Sequence, residues 1–287
     1  MRFIGCAPAW RPGEAKEKVS CLVVLDERGG IVSNAFVEGE DGIAPAIEAA
    51  AGGSGGRGEV IVGLDAPLSV PNERGTRKVE RVLARVSLPA YSASRRMFGG
   101  EPVMEGVLEA LEKNDIEYTD YPLPGQEARC VVEVDSAATL KVLALERGGE
   151  GEEGDVAERL KALPEARFRK GNKGVRAEAL RAAIAILWDT KGLRLRTGNL
   201  SGDLTARENI DVSKLDVTEK VSHAELDRVV GLVEAILSAY TVHRHWKGRD
   251  GSVVVGVGDE GSVLLSANDA LREALIEECR VFEVAYV

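Results

Sequence analysis

Three acidic residues of the chain stand where catalytic or metal-binding carboxylates are commonly found. Asp65 follows the apolar run at 59–64, Glu133 lies near the end of the run RCVVEV, and Asp227 lies early in a long helical segment. Because parallel α/β sheets bind ligands beyond the carboxyl ends of their strands, three acids reaching one such edge could hold Mg²⁺ or Mn²⁺. Two metal ions about 4 Å apart stabilise the attacking and leaving oxygens of phosphodiester cleavage. The alternative is structural, since acids at strand ends also cap helices and bind loop amides.

The same short pattern occurs twice in the chain, once with an acid and once without. Residues 3–9 (FIGCAPA) and 61–67 (IVGLDAP) both run through apolar residues into a Gly, then one apolar residue, then a turn with Pro. Two positions after the Gly, the second stretch has Asp65 and the first has Ala7. The likeness predicts two neighbouring strands that end alike, with Ala7 at a position where an acid could stand.

The elements that would position these residues begin in the order β-β-β-α-β. Strands are predicted at 2–7, 19–25 and 31–37, with a hairpin at 26–30, followed by a helix at 43–51 and a buried strand at 59–64. A helical crossover after a meander places the fourth strand parallel to the first and beside it. Further helices at 76–86 and 103–113 precede a fifth strand at 129–134, which leads into a helix at 136–146.

The C-terminal half is mainly helical. Helices are predicted at 174–189, at 222–243 and at 268–279, and the second of them begins with the capping box Ser222–Glu225. A hairpin is expected at 253–257 and 262–265. Its turn, VGVGDEG, resembles a nucleotide-binding loop, but such a loop joins a strand to a helix. Here it joins two strands, which indicates a hairpin turn.

Composition favours a soluble globular protein with a substantial core, since 44% of the residues are hydrophobic and 29% are charged. No apolar run approaches the ~20 residues that span a bilayer. Arg11 and Pro12 end the first apolar run too early for a signal peptide, so we expect a cytoplasmic protein with no membrane partner. The four scattered cysteines indicate buried thiols, and His243 and His245 lack zinc-site spacing. Nothing in the sequence indicates an oligomeric state.

The charge distribution suggests a partner that carries phosphate. The net charge of −10 argues against a protein that coats nucleic acid generally. Two segments of the sequence are locally basic. Residues 74–96 contain seven basic residues and one acid, Glu80, and residues 159–196 contain eleven basic residues and three acids. These blocks predict a phosphate-bearing partner at one face, and the alternative is that they are solvated helix faces.

Together these motifs resemble a known family. The stretches VGLDAPLSVPN, RGTRKVERVL, VVEVDSAATLKVL, AELDRVVGLVEAILSAYTVHR and VGVGDEGSVLL resemble, in the same order, domain of unknown function 429, a group of predicted nucleases with an RNase H-like fold. The resemblance covers most of the chain and leaves out the loops around 95–125 and 190–220 and the last twenty residues.

The resemblance implies an α/β fold of the RNase H-like type. Its core would be a five-stranded mixed sheet in the order 3-2-1-4-5, with helices on both faces and a C-terminal hairpin and helix. Residues 1–287 would form a single domain, with helical insertions at about 70–127 and 147–220 and a C-terminal extension at about 250–287.

The resemblance also assigns site residues. Asp65, Glu133 and Asp227 correspond to the catalytic, metal-binding acids. The family's first-strand acid is replaced by Ala7, a register that Trp10 supports, and Asp135 or Asp26 could partly substitute for it. The basic stretch before the helix at 174–189 also matches the family. The residues expected to contact substrate phosphate are Arg77, Arg81, Arg169, Lys170 and Lys173.

Three functions follow as hypotheses. The first is a Mg²⁺- or Mn²⁺-dependent nuclease or phosphodiesterase, in which the replacement of an acid by Ala7 would impair activity. The second is a non-catalytic protein that binds nucleic acid or a nucleotide on the same fold. The third is a scaffold or partner-binding protein that uses the fold alone.

Overall fold

The computed structural model describes residues 1–9, 19–52, 58–89, 91–99, 104–148, 154–163, 168–195 and 210–287. Within these ranges the strands are β1 Arg2–Ala7, β2 Val19–Leu25, β3 Ile31–Glu38, β4 Val60–Leu64, β5 Glu117–Tyr118, β6 Arg129–Glu133, β7 Ser252–Val255 and β8 Val263–Ser266. The α-helices are α1 Ile43–Ala51, α2 Lys78–Arg85, α3 Glu105–Glu112, α4 Ser136–Arg147, α5 Val156–Ala162, α6 Lys173–Asp189, α7 His223–Lys247 and α8 Asp269–Phe282. None of the helices in these ranges is both long enough and apolar enough to cross a bilayer.

Six strands form one mixed sheet in the order β3-β2-β1-β4-β6-β5. β1 pairs antiparallel with β2, which pairs antiparallel with β3, whereas β1, β4, β6 and β5 run parallel. The predicted mixed α/β sheet and C-terminal hairpin are confirmed, but the predicted count of five strands is wrong. The additional strand, β5, pairs only through Glu117 and Tyr118, and two residues are too few to produce an alternating pattern in the sequence.

Helices cover both faces of the sheet. α4, α6 and α7 enclose one apolar core against it, and α1 and α3 enclose another on the opposite face. We call these the α7 face and the α1 face. A third core joins α2, α5 and α8 to the β7–β8 hairpin and to the outer side of α4.

The repeated Gly of the two similar stretches has a packing reason. Gly5 of β1 and Gly63 of β4 are partners in the sheet register, and α7 crosses both. A Cβ atom added to Gly5 would lie 1.9 Å from the carbonyl oxygen of Ala235, and one added to Gly63 would lie 2.7 Å from that of Ser238. The two glycines therefore let the helix backbone lie directly on the sheet, which fixes the position of every α7 side chain relative to the strand ends.

Candidate functional site

The parallel strands β1, β4, β5 and β6 end at one edge of the sheet, which we call the carboxyl edge. Cys6 pairs with Leu64, and Leu64 pairs with Glu133, so the carboxyl ends of three strands lie side by side. The amide of Asp65 donates to the carbonyl of Cys6 at 2.9 Å. The predicted acids of β4 and β6 are therefore at the predicted edge.

Asp65 and Glu133 point to opposite faces of the sheet. Glu133 is the register partner of Leu64, whose side chain belongs to the core of the α1 face. Side chains alternate between faces along a strand, so Asp65, one residue after Leu64, points to the α7 face. A one-residue offset thus prevents these two acids from sharing a site on one face.

Glu133 is occupied by a buried ion pair with Arg77. Its Oε1 and Oε2 accept from the two terminal nitrogens of Arg77 at 2.6 and 2.9 Å, and Oε2 also accepts from the amide of Leu68. Both side chains are 4% exposed. A metal ion at Glu133 would have to displace a bidentate guanidinium in a water-poor environment, where leaving the arginine unpaired is costly.

Arg77 is not available to a substrate, contrary to the sequence-based expectation. Besides Glu133, it donates from Nε to Glu80 at 2.8 Å and from Nη1 to the carbonyl of Ser69 at 2.9 Å. Burial acts to lower its pKa, but the two carboxylates outweigh that effect and raise it. Arg81, one turn further along α2, is exposed, so its predicted contact with phosphate stays a prediction.

Asp227 also forms an ion pair, and it lies near the N-terminal end of α7. Its carboxylate accepts from Arg176 of α6, whose Nε donates to the carbonyl of Phe168 at 2.6 Å. The Asp227 side chain is 39% exposed. Its role here is to join α6 to α7, so the predicted convergence of Asp227 with Asp65 and Glu133 is not what the contacts show.

The helix acid that does approach Asp65 is Glu234. It lies seven residues after Asp227, which is two helical turns or about 10 Å along α7, and it is 7% exposed. Its oxygens accept from Arg169 at 3.2 and 2.6 Å. The sequence contains a signal for this residue, since Glu234 interrupts the otherwise apolar run at 229–237. A buried acid in such a run needs a partner or a function.

Among the described carboxyl groups at this edge, Asp65 has the most strongly shifted pKa. It accepts from the Ser136 hydroxyl at 2.6 Å and from the Ser136 amide at 3.1 Å, so it helps to cap α4. Burial, followed by the charges of Glu234 and Asp135, raises the pKa of Asp65 from 3.8 to about 7, although the Ser136 bonds oppose the rise. A carboxyl group with such a pKa can give or accept a proton near neutral pH.

Asp135 has a structural role of its own. It is the N-cap of α4 and accepts from the amide of Ala138 at 2.8 Å. Its charge, like that of Glu234, raises the pKa of the buried Asp65. Arg169 is the counter-ion of Glu234.

The donor set does not fit the metal ions that the resemblance implies. In the described part of the chain, no group of three or more His, Cys, Asp or Glu residues is placed to hold a metal ion. The reason is that Glu133 and Asp227 are held by arginines, and Asp65 and Asp135 cap a helix. Mg²⁺ or Mn²⁺ binding therefore has no support from the positions of these side chains.

Ala7 ends β1 on the α7 face, buried in the same core as α7. Its register partner is Cys21, so no acid from either strand replaces it. Asp26 cannot do so, because it lies in the β2–β3 hairpin at the opposite edge, where its carboxylate accepts from the amides of Arg28 and Gly30. Trp10, which supports the register in the sequence, lies outside the described residues.

The basic stretch 168–173 reaches the carboxyl edge through the pairing of Arg169 with Glu234. Lys170 is exposed, and Lys173 is partly exposed at the first position of α6. The side chain of Asn172 caps this helix by accepting from the amide of Val175. The stretch therefore places two lysines at an edge whose acids already have partners.

The turn VGVGDEG is a hairpin turn, as the sequence predicts, and it packs over the buried ion pair. A Cβ added to Gly261 would lie 2.9 Å from the carbonyl oxygen of Ser69 and 3.2 Å from Nη1 of Arg77. Asp120, just beyond β5, holds the turn by accepting from the Gly258 amide at 2.7 Å and from the Ser262 hydroxyl at 2.6 Å. Sequence reasoning missed this contact because it joins residues far apart in the chain.

Comparisons with known proteins add no assignment. The chain matches no family model, no curated protein and no solved structure.

Proposed function

We propose that this protein binds the phosphate groups of a nucleic acid or nucleotide at the carboxyl edge of an RNase H-like sheet, without the metal-dependent cleavage that the resemblance implies. One observation carries the proposal: Glu133 and Asp227 are each paired with an arginine, whereas Lys170 and Lys173 are presented to solvent at the same edge. The strand order 3-2-1-4, with β6 beside β4, is compatible with the proposed fold.

The lysines are held on a preorganised segment. Phe168 is buried and its carbonyl accepts from Arg176, while Arg169 is fixed by Glu234. Gly171 has a φ of 99°, a left-handed conformation that places the chain at the start of α6. Because the backbone on both sides of Lys170 is already ordered, binding a phosphate there costs little conformational entropy. The N-terminus of α6 adds its partial positive charge.

The test is binding of a fluorescent oligonucleotide in the presence of EDTA, measured by anisotropy over a range of salt concentrations. The variant K170Q/K173Q should weaken binding and reduce the slope of log K against log salt by about 2, because each lost phosphate contact removes about one unit. The matched control is K113Q/K191Q, which removes the same charge at the opposite edge of the sheet, near the ends of α3 and α6.

Two results would contradict the proposal. One is equal binding by K170Q/K173Q and by the control variant. The other is binding that disappears in EDTA and returns with Mn²⁺, which would restore the metal-dependent hypothesis.

Hydrolysis of a phosphodiester is the second candidate, and the raised pKa of Asp65 is the observation that favours it. Asp65 would give or accept a proton, because burial, followed by the charges of Glu234 and Asp135, keeps its pKa raised. If this holds, the protein should cleave an oligonucleotide and Asp65→Asn should abolish cleavage while leaving binding intact. If Ala7 is the disabling substitution, Ala7→Asp should increase cleavage. If neither the natural chain nor Ala7→Asp cleaves the oligonucleotide, hydrolysis is refuted and phosphate binding remains as the proposed function.

A further inference from the structure

Two loops near the carboxyl edge, on the α2 side of the molecule, are joined by hydrogen bonds. Residues 72–76 follow β4, and residues 92–96 lead into the 3₁₀ helix Arg95–Phe98. The amides of Arg95 and Arg96 donate to the carbonyls of Asn72 and Glu73 at 3.0 and 3.1 Å. The Asn72 side chain donates to the Ala93 carbonyl at 2.9 Å. We call these two segments the arginine platform.

The platform is anchored to the buried ion pair described above. Glu80, which binds Arg77, also accepts from the amide of Ala93 at 3.1 Å. The Nε atom of Arg95 donates to the carbonyl of Val70 at 3.1 Å. Arg77, Glu80 and Glu133 thus fix the position of both loops relative to the ends of β4 and β6.

Three exposed arginines extend from this fixed backbone: Arg74, Arg95 and Arg96. None of them forms an ion pair with a carboxylate in the described part of the chain. Other exposed basic residues do pair, including Lys78 with Glu260 and Arg85 with Glu278. Glu73 is the acid of the platform, so the local charge is positive on a chain whose net charge is −10.

We propose that the arginine platform binds the sugar-phosphate backbone of a nucleic-acid strand, other phosphates of which contact Lys170 and Lys173. This inference rests on the proposed function and specifies its ligand as a polymer, not a mononucleotide. The platform lies in loops that come after β4 in the chain, on the α2 side of the molecule. Lys170 lies elsewhere, beside α6 and α7. Two separate cationic groups match a ligand with one phosphate at each repeating unit.

The chemistry of the platform suits a phosphate backbone better than it suits a lipid surface. Guanidinium groups match phosphate oxygens with two parallel hydrogen bonds, and a rigid backbone keeps their spacing. Met97 is the large apolar side chain exposed here, at 39%. A surface that binds lipid needs a broad apolar face beside its basic residues, and the described residues of these loops do not provide one.

The experiment compares R74Q/R95Q/R96Q with the control R28Q/K113Q/K191Q, which removes the same charge from exposed residues at the opposite edge. Both are titrated with a DNA strand of about 20 nucleotides, longer than the usual single-domain site, and with adenosine monophosphate. The platform variant should lose about 10- to 100-fold in affinity for the strand. Its salt slope should fall by about 2, because each lost contact with a single strand removes about 0.7. Its binding of the mononucleotide should not change.

Failure of the platform and failure of the proposed function give different patterns. If the platform variant binds the strand as the control does while K170Q/K173Q is impaired, the platform inference is overturned and the proposed function stands. If only the platform variant is impaired, the lysine site is refuted. Equal or tighter binding of poly-glutamate or phosphatidylserine vesicles by the natural chain would overturn the choice of nucleic acid.

A second variant guards against misfolding. R74Q/R96Q removes no side-chain hydrogen bond to the loops and should give about two-thirds of the change in salt slope. A normal slope in a folded R74Q/R96Q protein would count against the platform.

Discussion

The buried pair of Arg77 and Glu133 gives the most direct test of whether Glu133 is structural or catalytic. The substitution Glu133→Gln keeps the shape of the side chain, and one oxygen can still accept from the Leu68 amide. It removes the charge that Arg77 faces through two hydrogen bonds of 2.6 and 2.9 Å. The amide nitrogen of Gln, itself a donor, would then lie against guanidinium donors.

The expected cost follows from burial. Both side chains are 4% exposed, and removing one partner of such a pair leaves an uncompensated charge, which costs about 3–5 kcal/mol. Glu80 retains a bond to Arg77 and reduces the loss, so we expect about 3 kcal/mol at the lower end of that range. Because water is excluded from the pair, the loss should change little with salt concentration.

The assay is urea unfolding followed by circular dichroism, with Glu112→Gln as the matched control. Glu112 is exposed near the end of α3, and its substitution should change the free energy of unfolding by less than about 0.5 kcal/mol. The reasoning is refuted if Glu133→Gln is as stable as the control and its main defect is loss of Mn²⁺ binding. Glu133 would then be a metal ligand, as the resemblance implies.

Two further predictions concern the α7 face. Gly5→Ala should destabilise the protein by at least about 3 kcal/mol, since a Cβ 1.9 Å from the Ala235 oxygen forces the helix off the sheet. The control is Gly106→Ala in α3. A Cβ added there meets nothing within 4 Å, so this substitution should be neutral or stabilising. The raised pKa of Asp65 means that the folded protein binds an extra proton between about pH 4 and pH 7, so this residue's contribution to stability is present at low pH and declines across that window. Asp65→Asn should therefore gain stability relative to the natural chain on the order of 2–4 kcal/mol by pH 8, and parallel stability curves from pH 4 to pH 8 would show that the pKa is not raised.

Much of the architecture could be read from local patterns. Continuous apolar runs gave β1, β2 and β4, the Gly-Gly turn gave the hairpin before β3, and the capping box at Ser222 gave the start of α7. The helical crossover after the meander placed β4 parallel to β1 and beside it, as the structure confirms. These features depend on residues close in sequence or on general rules of chain connection, so one sequence is enough to predict them.

The candidate site was predicted less well because it depends on faces and registers. The positions of Asp65 and Glu133 at strand ends are evident in the sequence, but the pairing of Leu64 with Glu133 sends the two carboxylates to opposite faces. Asp227 was predicted as the helix acid because it lies early in α7 and matches the resemblance, whereas Glu234 is the acid that lies near Asp65. Only the crossing of α7 over Gly5 and Gly63 decides which turn of the helix meets the carboxyl edge.

The sequence alone determined the elements, their order and the presence of acids and basic blocks near strand ends, since periodicity, caps and turns act within a few residues. Only the tertiary structure decided which charges meet. Arg77 and Glu133 are 56 residues apart, and Arg169 and Glu234 are 65 apart. A buried charge takes whichever opposite charge the packing brings within reach, because burial without a partner costs more than most single contacts contribute. The strand register and the crossing of α7 over the sheet determine which charges meet, and neither can be read directly from the amino-acid sequence.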